Sequence, residues 1–496
     1  MKKQISLLLV TAMLAGTLLS CAGGENETKQ SGGDGTQTDT VATETESETL
    51  YAPDDLPTEL RYDGVTATIF GWSDPAAIEF YAEELNGELV NDAIHARNLA
   101  VEERLGLRLT YVLEPGSNPN QGTWVKSIEN SVRAGDQAYD VAAGYSMAGA
   151  TLAYDHMLLD LADQPYLSFD KPWWPSSLMD EATCGGKLYF CSGDISTYMI
   201  YYMYAAYFNK QMVEDHGLAD PYALVHEGKW TLDTMLSMAG SIYMDVNGDG
   251  KKDDGDRYGM VLHTTYIDPF FFGVGLRTTE KNAEDIPVLA ASFGGEKTHW
   301  LLTTLNRFFA TDDGYMVSGL DGYTIGDNLF KEGRALFTVN EFQYAAITIR
   351  DAELDYGILP IPKYDEEQQE YSTVMSFPYS LYGIPADAKD PAMSAALMEC
   401  LASESYRTVT PALFETGMKV KYATDNESAQ MFDIIRETIV FDFGRVFTNS
   451  MNSMTFSLFR DAVASKKDNW ISIYEKNEKK LTAALEKVVN ALTSED

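Results

Sequence analysis

The chain of 496 residues carries 37 basic and 75 acidic side chains, which sum to a formal net charge of −38. Nucleic acids and anionic membrane surfaces bind to positively charged protein surfaces, so this composition excludes them as partners. The length predicts two or three domains with substantial hydrophobic cores.

Residues 1–20 have the pattern of a secretory signal peptide. Lys2 and Lys3 precede an apolar run that ends at Leu19, which is too short for a typical membrane span. Residues 18–21, Leu-Leu-Ser-Cys, resemble a bacterial lipobox, a signal in which the cysteine is acylated, for example with palmitate, and becomes the first mature residue. The prediction is therefore a lipid anchor on Cys21, and the alternative is an ordinary signal peptide with an incidental cysteine.

Residues 21–58 are predicted to be the lipidated cysteine and a flexible acidic tether. They are mostly Gly, Ser, Thr, Asp and Glu, and a segment with so few large apolar side chains cannot bury a core. We therefore expect a protein attached to the membrane through its lipid. It would lie on the outer face of the cytoplasmic membrane, or in the periplasm if the cell has an outer membrane.

The segment after the tether alternates between strand and helix patterns. The apolar pattern predicts strands at residues 64–72 and 107–114 and helices at residues 91–106 and 124–135. It also predicts a short buried strand at residues 139–145. This order predicts an open, largely parallel α/β sheet covered by helices. In such sheets ligands gather at the carboxyl ends of the strands.

A second block with the same character follows. Residues 201–217 read as a strand running into a helix, and residues 229–240 as a helix with Thr231 as its N-cap. Strand patterns return at residues 335–342 and 355–364. The closing segment, residues 470–492, has apolar side chains at helical spacing, which is typical of a helix packed on a core.

The sequence DVNGDGKKDDGD, residues 245–256, matches the pattern of a calcium-binding loop. Gly250 takes the position of the sharp turn in this pattern. A strand pattern follows the loop, whereas an EF-hand has a second helix there, so the sequence favours a static structural ion over a calcium switch. The alternative is an ion-free polar turn. The predicted Ca²⁺ ligands are Asp245, Asn247, Asp249, the carbonyl group of Lys251, Asp253 and Asp256.

Sequence motifs of catalysis are missing from the chain. The zinc motif H-E-x-x-H, the nucleophile elbow, the phosphate-binding loop and the dinucleotide fingerprint G-x-G-x-x-G do not occur. The carboxyl pair of a glycoside hydrolase leaves no such motif, so that enzyme class stays open. Cys184 and Cys191 are compatible with a disulfide or with two free thiols.

Aromatic residues make up 12% of the chain and include 29 tyrosines. Tyr and Trp combine a flat apolar face with a polar group, which suits ring-shaped ligands rich in hydroxyl groups. Several aromatic clusters fall at predicted strand ends or loops, although core packing explains most single aromatic residues.

The order of several segments resembles the extracellular solute-binding lipoproteins of bacterial ABC importers, of the sugar-binding family 1 type related to maltose-binding protein. These segments are RNLAVEERLGLRLTYV, YDVAAGYSMAGATLA, LLDLADQPYLSFDKPWW, KLYFCSGDIS, YFNKQMVEDHGLADPY, GKWTLDTM, FKEGRALF and DYGILPIPKYDEEQQEY.

The resemblance implies a non-enzymatic, monomeric protein with the two-lobed α/β fold of periplasmic binding proteins (type II). Lobe one would comprise residues 59–203 and 336–378, and lobe two residues 204–335 and 379–496. The lobes would close on a carbohydrate, expected to be an oligosaccharide, and deliver it to a permease. The alternative ligand is a peptide or another polar metabolite, and the alternative class is a membrane-anchored carbohydrate-active enzyme.

The resemblance also implies a set of residues in the cleft between the lobes. Phe456 takes the position of a Trp in the maltose binder, which leaves the identity of the sugar open. The implied ligand-binding residues are Trp72, Tyr145, Asp194, Tyr198, Phe271, Phe272, Asn340, Glu341 and Phe456.

Overall fold

The strand–helix–strand order predicted after residue 64 is present in the computed structural model, which describes residues 51–423 and 425–494. The predicted signal peptide, Cys21 and most of the predicted tether lie outside these described residues. The strands are β1 (Thr66–Trp72), β2 (Arg108–Glu114), β3 (Val141–Tyr145), β4 (Tyr204–Asn209), β5 (Tyr258–His263), β6 (Thr279–Lys281), β7 (Pro287–Leu289), β8 (Gly314–Val317), β9 (Ala335–Glu341), β10 (Tyr356–Leu359), β11 (Thr373–Val374), β12 (Ser380–Gly383) and β13 (Ile439–Val440).

The helices surround these strands. They are α1 (Ala76–Glu79), α2 (Leu89–Leu105), α3 (Gln121–Ala134), α4 (Ser146–Tyr154), α5 (Ser176–Ala182), α6 (Tyr198–Tyr201), α7 (Lys210–Asp215), α8 (Pro221–His226), α9 (Leu232–Ala239), α10 (Asp268–Gly273), α11 (Glu296–Phe309), α12 (Gly319–Lys331), α13 (Pro391–Glu404), α14 (Asn426–Glu437), α15 (Phe443–Val446), α16 (Met454–Ala464) and α17 (Trp470–Thr493). A 3₁₀ turn covers Thr264–Ile267, and π-helical turns cover Tyr344–Thr348, Ser405–Val409 and Pro411–Tyr422.

The first sheet has the strand order β12-β3-β1-β2. Strand β1 is parallel to both β2 and β3, as the sequence predicted, and β12 is antiparallel to β3 with Ser380 opposite Tyr145. The carboxyl ends of β1 and β3 therefore meet the amino end of β12 at one edge of this sheet.

The second sheet has the strand order β10-β4-β9-β5-β8. Strand β5 is parallel to β8 and β9, while β4 is antiparallel to β9 with Tyr204 opposite Glu341. The carboxyl ends of β5, β8 and β9 therefore meet the amino end of β4. We use lobe one and lobe two for the parts of the chain built around the first and the second sheet.

The predicted boundaries of the lobes are wrong after residue 335. Strands β9 and β10 pair in the second sheet, so they belong to lobe two, whereas β12 pairs in the first sheet. Helix α13 packs against α2 and belongs to lobe one as well. These strands are apolar runs buried on both faces, and such runs carry no local information about which sheet they join.

The chain crosses between the lobes at two of the predicted places and at one that was not predicted. The first crossing leads through α6 into β4, near residues 198–204 as predicted. The second crossing leads from β11 into β12, near the lobe boundary predicted at residue 378, whereas the chain stays in lobe two at the boundary predicted at residue 335. A third change of lobe lies between the π-helical segment Pro411–Tyr422, which packs against α2, and helix α14, which packs against β10.

The predicted end of the tether at residue 58 is also wrong, because residues 51–58 contact the folded body. Arg104 donates hydrogen bonds to the carbonyl groups of Leu56 and Pro57 at 3.1 Å, and Arg407 forms an ion pair with Asp54 at 3.2 Å. Most of these contacts use backbone carbonyl groups, which amino-acid composition does not report.

The N-cap predicted at Thr231 is confirmed, and three further local features are decided by the structure. Gly106 ends α2 with a positive φ of 67°, and the hydroxyl group of Thr231 accepts a hydrogen bond from the backbone N–H of Thr234. Cys184 and Cys191 are buried free thiols, so they form no disulfide. No helix within residues 51–423 and 425–494 is both long and apolar enough to cross a membrane.

Candidate functional site

Two aromatic side chains stand at the edge of the first sheet where its parallel strands end. Trp72 is the last residue of β1 and Tyr145 the last residue of β3, and their ring centroids are 5.4 Å apart at 80°. The indole N–H of Trp72 donates a hydrogen bond of 2.8 Å to the hydroxyl group of Ser380 at the start of β12. Strand pairing and this bond hold the two rings edge to face.

Tyr198, in the first crossing, completes this group of rings. Its ring centroid lies 5.7 Å from that of Trp72 and 4.8 Å from that of Tyr202. The backbone N–H of Tyr198 donates to a carboxyl oxygen of Glu79 at 3.1 Å, and the hydroxyl group of Thr197 donates to the same oxygen. Burial raises the pKa of the Glu79 carboxyl group, while these hydrogen bonds act against the rise. A buried carboxyl group thus anchors the crossing segment beside the aromatic rings.

The facing edge of lobe two presents Glu341, the last residue of β9. Its Oε2 accepts a hydrogen bond of 3.2 Å from the hydroxyl group of Tyr266. Burial raises the pKa of Glu341, and hydrogen bonds from Ser376, Gln343 and Tyr266 oppose the rise. Glu341 is buried and, among the described residues, forms no ion pair.

A second carboxyl group of lobe two is bound to two arginines. Arg445 donates to Oδ2 of Asp268 at 2.9 Å, and the Nε group of Arg460 donates to Oδ1 at 3.0 Å. Burial alone would raise the pKa of Asp268, but the charges and hydrogen bonds of both arginines lower it below its usual value. Arg445 also donates two hydrogen bonds to the carbonyl group of Met375 in the second crossing.

Each of these arginines lies over an aromatic ring. The guanidinium carbon of Arg445 is 3.9 Å from the ring centroid of Phe377, and that of Arg460 is 4.5 Å from the ring centroid of Phe456. The two rings are 5.4 Å apart and half-buried. The hydroxyl group of Ser146, next to Tyr145, donates to the carbonyl group of Phe377 at 2.6 Å. These contacts connect Phe456 with the rings of lobe one.

We call this set of side chains the interlobe cluster. Its members come from the sheet edges of both lobes, from the first two crossings, from the turn Thr264–Ile267 and from helices α15 and α16. They are Trp72, Tyr145, Tyr198, Tyr202, Tyr204, Tyr266, Glu341, Ser376, Phe377, Arg445 and Phe456.

The structure does not bring Asp194 or Asn340 into the interlobe cluster. Asp194 accepts hydrogen bonds from Thr410 at 2.9 Å and Arg436 at 3.1 Å, and it lines a separate cavity of 250 Å³. The amide group of Asn340 donates to Asp327 on α12 at 3.0 Å. Both side chains already have protein partners outside the cluster.

Phe271 and Phe272 also lie elsewhere, because the sequence PFFFG forms the buried helix α10 rather than a loop. The ring of Phe271 packs against Phe293 at 5.7 Å and Phe459 at 5.4 Å in the core of lobe two. The ring centroid of Phe272 lies 5.9 Å from the guanidinium carbon of Arg277 and 5.5 Å from that of Arg445.

Sequence reasoning missed six members of the cluster. Arg445 gave a usable signal, because an arginine inside the apolar stretch FDFGRVF needs a buried partner. The others gave none, since tyrosine, serine and phenylalanine are common in cores and strands. The missed residues are Tyr202, Tyr204, Tyr266, Ser376, Phe377 and Arg445.

The predicted calcium loop is held by its own backbone. Asp245 accepts from the N–H groups of Gly248 and Gly250, and Asp249 accepts from that of Lys251 at 2.8 Å. The carboxyl group of Asp256 is buried and accepts from the hydroxyl group of Tyr243 at 2.9 Å. In the described part of the chain, no group of three or more His, Cys, Asp or Glu side chains could hold a metal ion. The calcium site remains a prediction.

No protein-family model and no curated protein matches the chain. Solved structures do match it. The GacH receptor of Streptomyces glaucescens, described unliganded and with acarbose, is 15% identical, with a TM-score of 0.54 over 84% of this chain and 99% of that chain. The maltose-binding periplasmic protein MalE from Listeria monocytogenes, in complex with maltose, is 12% identical, with a TM-score of 0.56 over 85% and 98%.

An ABC transporter solute-binding protein from Thermotoga lettingae, bound with α-D-tagatose, is 15% identical. Its TM-score is 0.52 over 85% of this chain and 100% of that chain. These likenesses extend over nearly the whole length of the three solved chains and concern the fold. They confirm the predicted two-lobed α/β fold of periplasmic binding proteins.

Proposed function

We propose that the chain captures a carbohydrate between its two lobes and delivers it to the permease of an ABC transporter. The observation that carries this proposal is the interlobe cluster, in which aromatic rings and a carboxyl group from both sheet edges meet beside the crossings. Aromatic faces pack on the apolar faces of sugar rings, and polar groups beside them accept hydrogen bonds from hydroxyl groups. Closure of two lobes about their crossings is the expected mechanism.

The structural neighbours support a carbohydrate as the ligand. The three solved proteins are described with acarbose, maltose and tagatose, and each ligand is rich in hydroxyl groups. Transfer of aromatic surface from water to contact with the apolar face of a sugar ring is favourable. We extend this ligand class to the present chain because its interlobe cluster combines aromatic rings with polar groups.

The charges of the cluster favour capture over hydrolysis. Most glycoside hydrolases need two carboxyl groups, one on each side of the scissile bond. Both carboxyl oxygens of Asp268 accept hydrogen bonds from Arg445 and Arg460, so this carboxyl group is a poor proton donor and a poor nucleophile. Glu341 is then the carboxyl group of the cluster that has no arginine partner among the described residues. We therefore infer a binding protein rather than an enzyme.

The cellular setting is part of the same proposal. The signal pattern and lipobox suggest that the protein is held by a lipid on Cys21 outside the cytoplasmic membrane and acts as a monomer beside its permease. A Ca²⁺ ion in residues 245–256 would brace lobe two without contacting the ligand.

A thermal-shift screen with maltose, a maltodextrin, acarbose and tagatose tests the ligand class. A ligand at about 100 times its Kd stabilises a protein by about 2.7 kcal/mol, which is easily seen as a rise in Tm. The best ligand should be recovered intact after long incubation, and X-ray scattering should show a smaller radius of gyration when it is bound. Release of shorter sugars would support the enzyme alternative, and a shift with peptides only would overturn the carbohydrate proposal.

A further inference from the structure

Lobe two contains a pocket of 560 Å³ that shares no residue with the interlobe cluster. It lies between the start of α11, residues 364–372 and the segment after α10. Pockets that bind small molecules typically measure roughly 300–1,000 Å³, so this one is large enough. The side chains that matter for its chemistry are Arg277, Lys297, Tyr364, Tyr371 and Ser372.

Lys297 occupies an unfavourable position unless a negative charge is nearby. It is half-buried and stands in the first turn of α11, where the partial positive charge of the helix end repels a cation. Its ammonium group lies 4.2 Å from the ring centroid of Tyr364 and, among the described residues, forms no ion pair. Burial lowers the pKa of Lys297, Asp365 acts against this effect, and Arg277 lowers the pKa further.

Arg277 is a second partly buried cation in the same pocket. It donates to the carbonyl group of Leu276 at 2.8 Å and to the hydroxyl group of Ser372 at 3.2 Å, and both acceptors are neutral. Burial lowers the pKa of Arg277, while Asp442 and Glu181 oppose the effect. Neither carboxyl group lies within ion-pair distance of Arg277 in the described part of the chain.

Acidic residues of the pocket do not neutralise these two cations. One carboxyl oxygen of Asp365 accepts hydrogen bonds from the backbone N–H groups of Glu367 and Gln368 at 3.1 and 2.9 Å. Glu367 and Glu370 are exposed side chains at the rim. Buried charges are normally paired in proteins, and Lys297 and Arg277 are partly buried cations that form no ion pair among the described residues.

We propose that this pocket binds the phosphate or carboxylate group of a small molecule, with Lys297 and Arg277 as its cationic ligands. Charge-assisted hydrogen bonds from an ammonium and a guanidinium group suit such an anion. Tyr364 and Tyr371 line the pocket and offer apolar surface to the rest of the molecule.

The pocket is placed to affect the hinge between the lobes. Ser372, which accepts the hydrogen bond from Arg277, directly precedes β11 of the second crossing. The ring of Phe272 lies between Arg277 and Arg445, a member of the interlobe cluster. An anion bound to Arg277 would therefore be connected through the ring of Phe272 to Arg445 of the proposed sugar site.

Isothermal titration of the full chain with inorganic phosphate and with citrate, at constant ionic strength, tests the proposal. We expect saturable binding of at least one probe at one site per chain. Lys297→Gln should weaken it by about tenfold and Lys297→Glu should abolish it, because a charge-assisted contact is lost or reversed. Lys331→Gln, an exposed lysine at the end of α12, is the matched control and should bind as wild type does.

The two probes distinguish the sources of the anionic group. Binding of phosphate alone would assign the pocket to phosphate groups, and binding of citrate alone to carboxylates. The absence of saturable binding for both probes would overturn the proposal. Equal affinities of wild type and Lys297→Glu, with both proteins folded by circular dichroism, would overturn it as well. Sugar-induced thermal shifts of Lys297→Gln should equal those of wild type, so this result is independent of the carbohydrate proposal.

Discussion

The guanidinium carbon of Arg445 lies 3.9 Å from the ring centroid of Phe377, and the same group forms an ion pair with Asp268. Phe377 belongs to the second crossing, whereas Asp268 opens helix α10 of lobe two. One buried arginine therefore connects the segment between the lobes with the body of lobe two. Its interactions depend on Asp268, because that carboxyl group orients both Arg445 and Arg460.

Asp268→Asn should strongly destabilise the protein. Removal of one charge from a buried ion pair typically costs about 3–5 kcal/mol, because the partner charges remain in the interior. Asp268, Arg445 and Arg460 are all largely shielded from water, so this range applies. Urea unfolding of the variant measures the loss. Asp233→Asn, an exposed residue in the first turn of α9, should change stability little, and a similar loss in both variants would contradict the argument.

Phe456→Leu should weaken carbohydrate binding without a large loss of stability. The ring is half-buried and packs on Phe377 and Arg460 at the edge of the interlobe cluster. Loss of an aromatic contact costs about 0.5–1.5 kcal/mol, or roughly twofold to tenfold in Kd. Isothermal titration with the best sugar of the screen measures this change.

Phe271→Leu is the informative comparison. Its ring lies in the core of lobe two against Phe293 and Phe459. This variant should lower the Tm and leave the Kd for sugar unchanged. The reverse pattern, with a normal Tm and a weakened Kd, would restore Phe271 to the ligand site.

Glu399→Gln should alter how stability depends on pH. Burial raises the pKa of Glu399 from 4.5 to about 7, although a hydrogen bond from Trp174 opposes the rise. Between these two values the unfolded chain loses the proton and the folded chain keeps it, so the stability of the wild type falls as the pH rises. The variant lacks this loss, and its stability relative to wild type should improve by about 1–3 kcal/mol from pH 5 to pH 8.

Thermal unfolding at several pH values checks this expectation. Glu486→Gln serves as the control, since Glu486 is exposed on α17 and should leave the pH profile of the wild type unchanged. A constant difference between Glu399→Gln and wild type across the range would show that Glu399 ionises at its usual pKa.

Chelation tests the predicted calcium ion. If residues 245–256 hold Ca²⁺, excess chelator should lower the Tm of the wild type, and Asp249→Asn should remove this sensitivity. Asp254→Asn changes the acidic residue that lies outside the predicted ligand set, so it should respond to chelator as wild type does. An unchanged Tm of the wild type in chelator would mean that the loop is an ion-free turn.

Cys21→Ser tests the lipid anchor. The variant should be released from the membrane or remain unprocessed, and its sugar affinity should equal that of the wild type because the predicted anchor is not part of the proposed ligand site. Fractionation of cells and titration of the purified variant measure both properties. Retention of a fully processed variant in the membrane fraction would remove the lipoprotein assignment.

The sequence by itself determined the local elements and the fold class. Gly106 ends a helix because glycine adopts a positive φ without strain, and Thr231 caps a helix because its hydroxyl group accepts from a free N–H group. The alternation of strands and helices predicted the parallel order of β1, β2 and β3. Each of these features depends on residues that are close together in the chain, so a linear pattern reports it.

Only the tertiary structure decided which side chains meet. Trp72 bonds to Ser380, a residue 308 positions further along the chain, and β9 joins the second sheet although its sequence fits either sheet. The family resemblance predicted that Trp72, Tyr145 and Glu341 lie in one cleft with Asp194. In the structure, Asp194 instead accepts hydrogen bonds from Thr410 and Arg436 outside the interlobe cluster. Long-range strand pairing and the pairing of buried charges set these positions, and neither leaves a periodic pattern in the sequence.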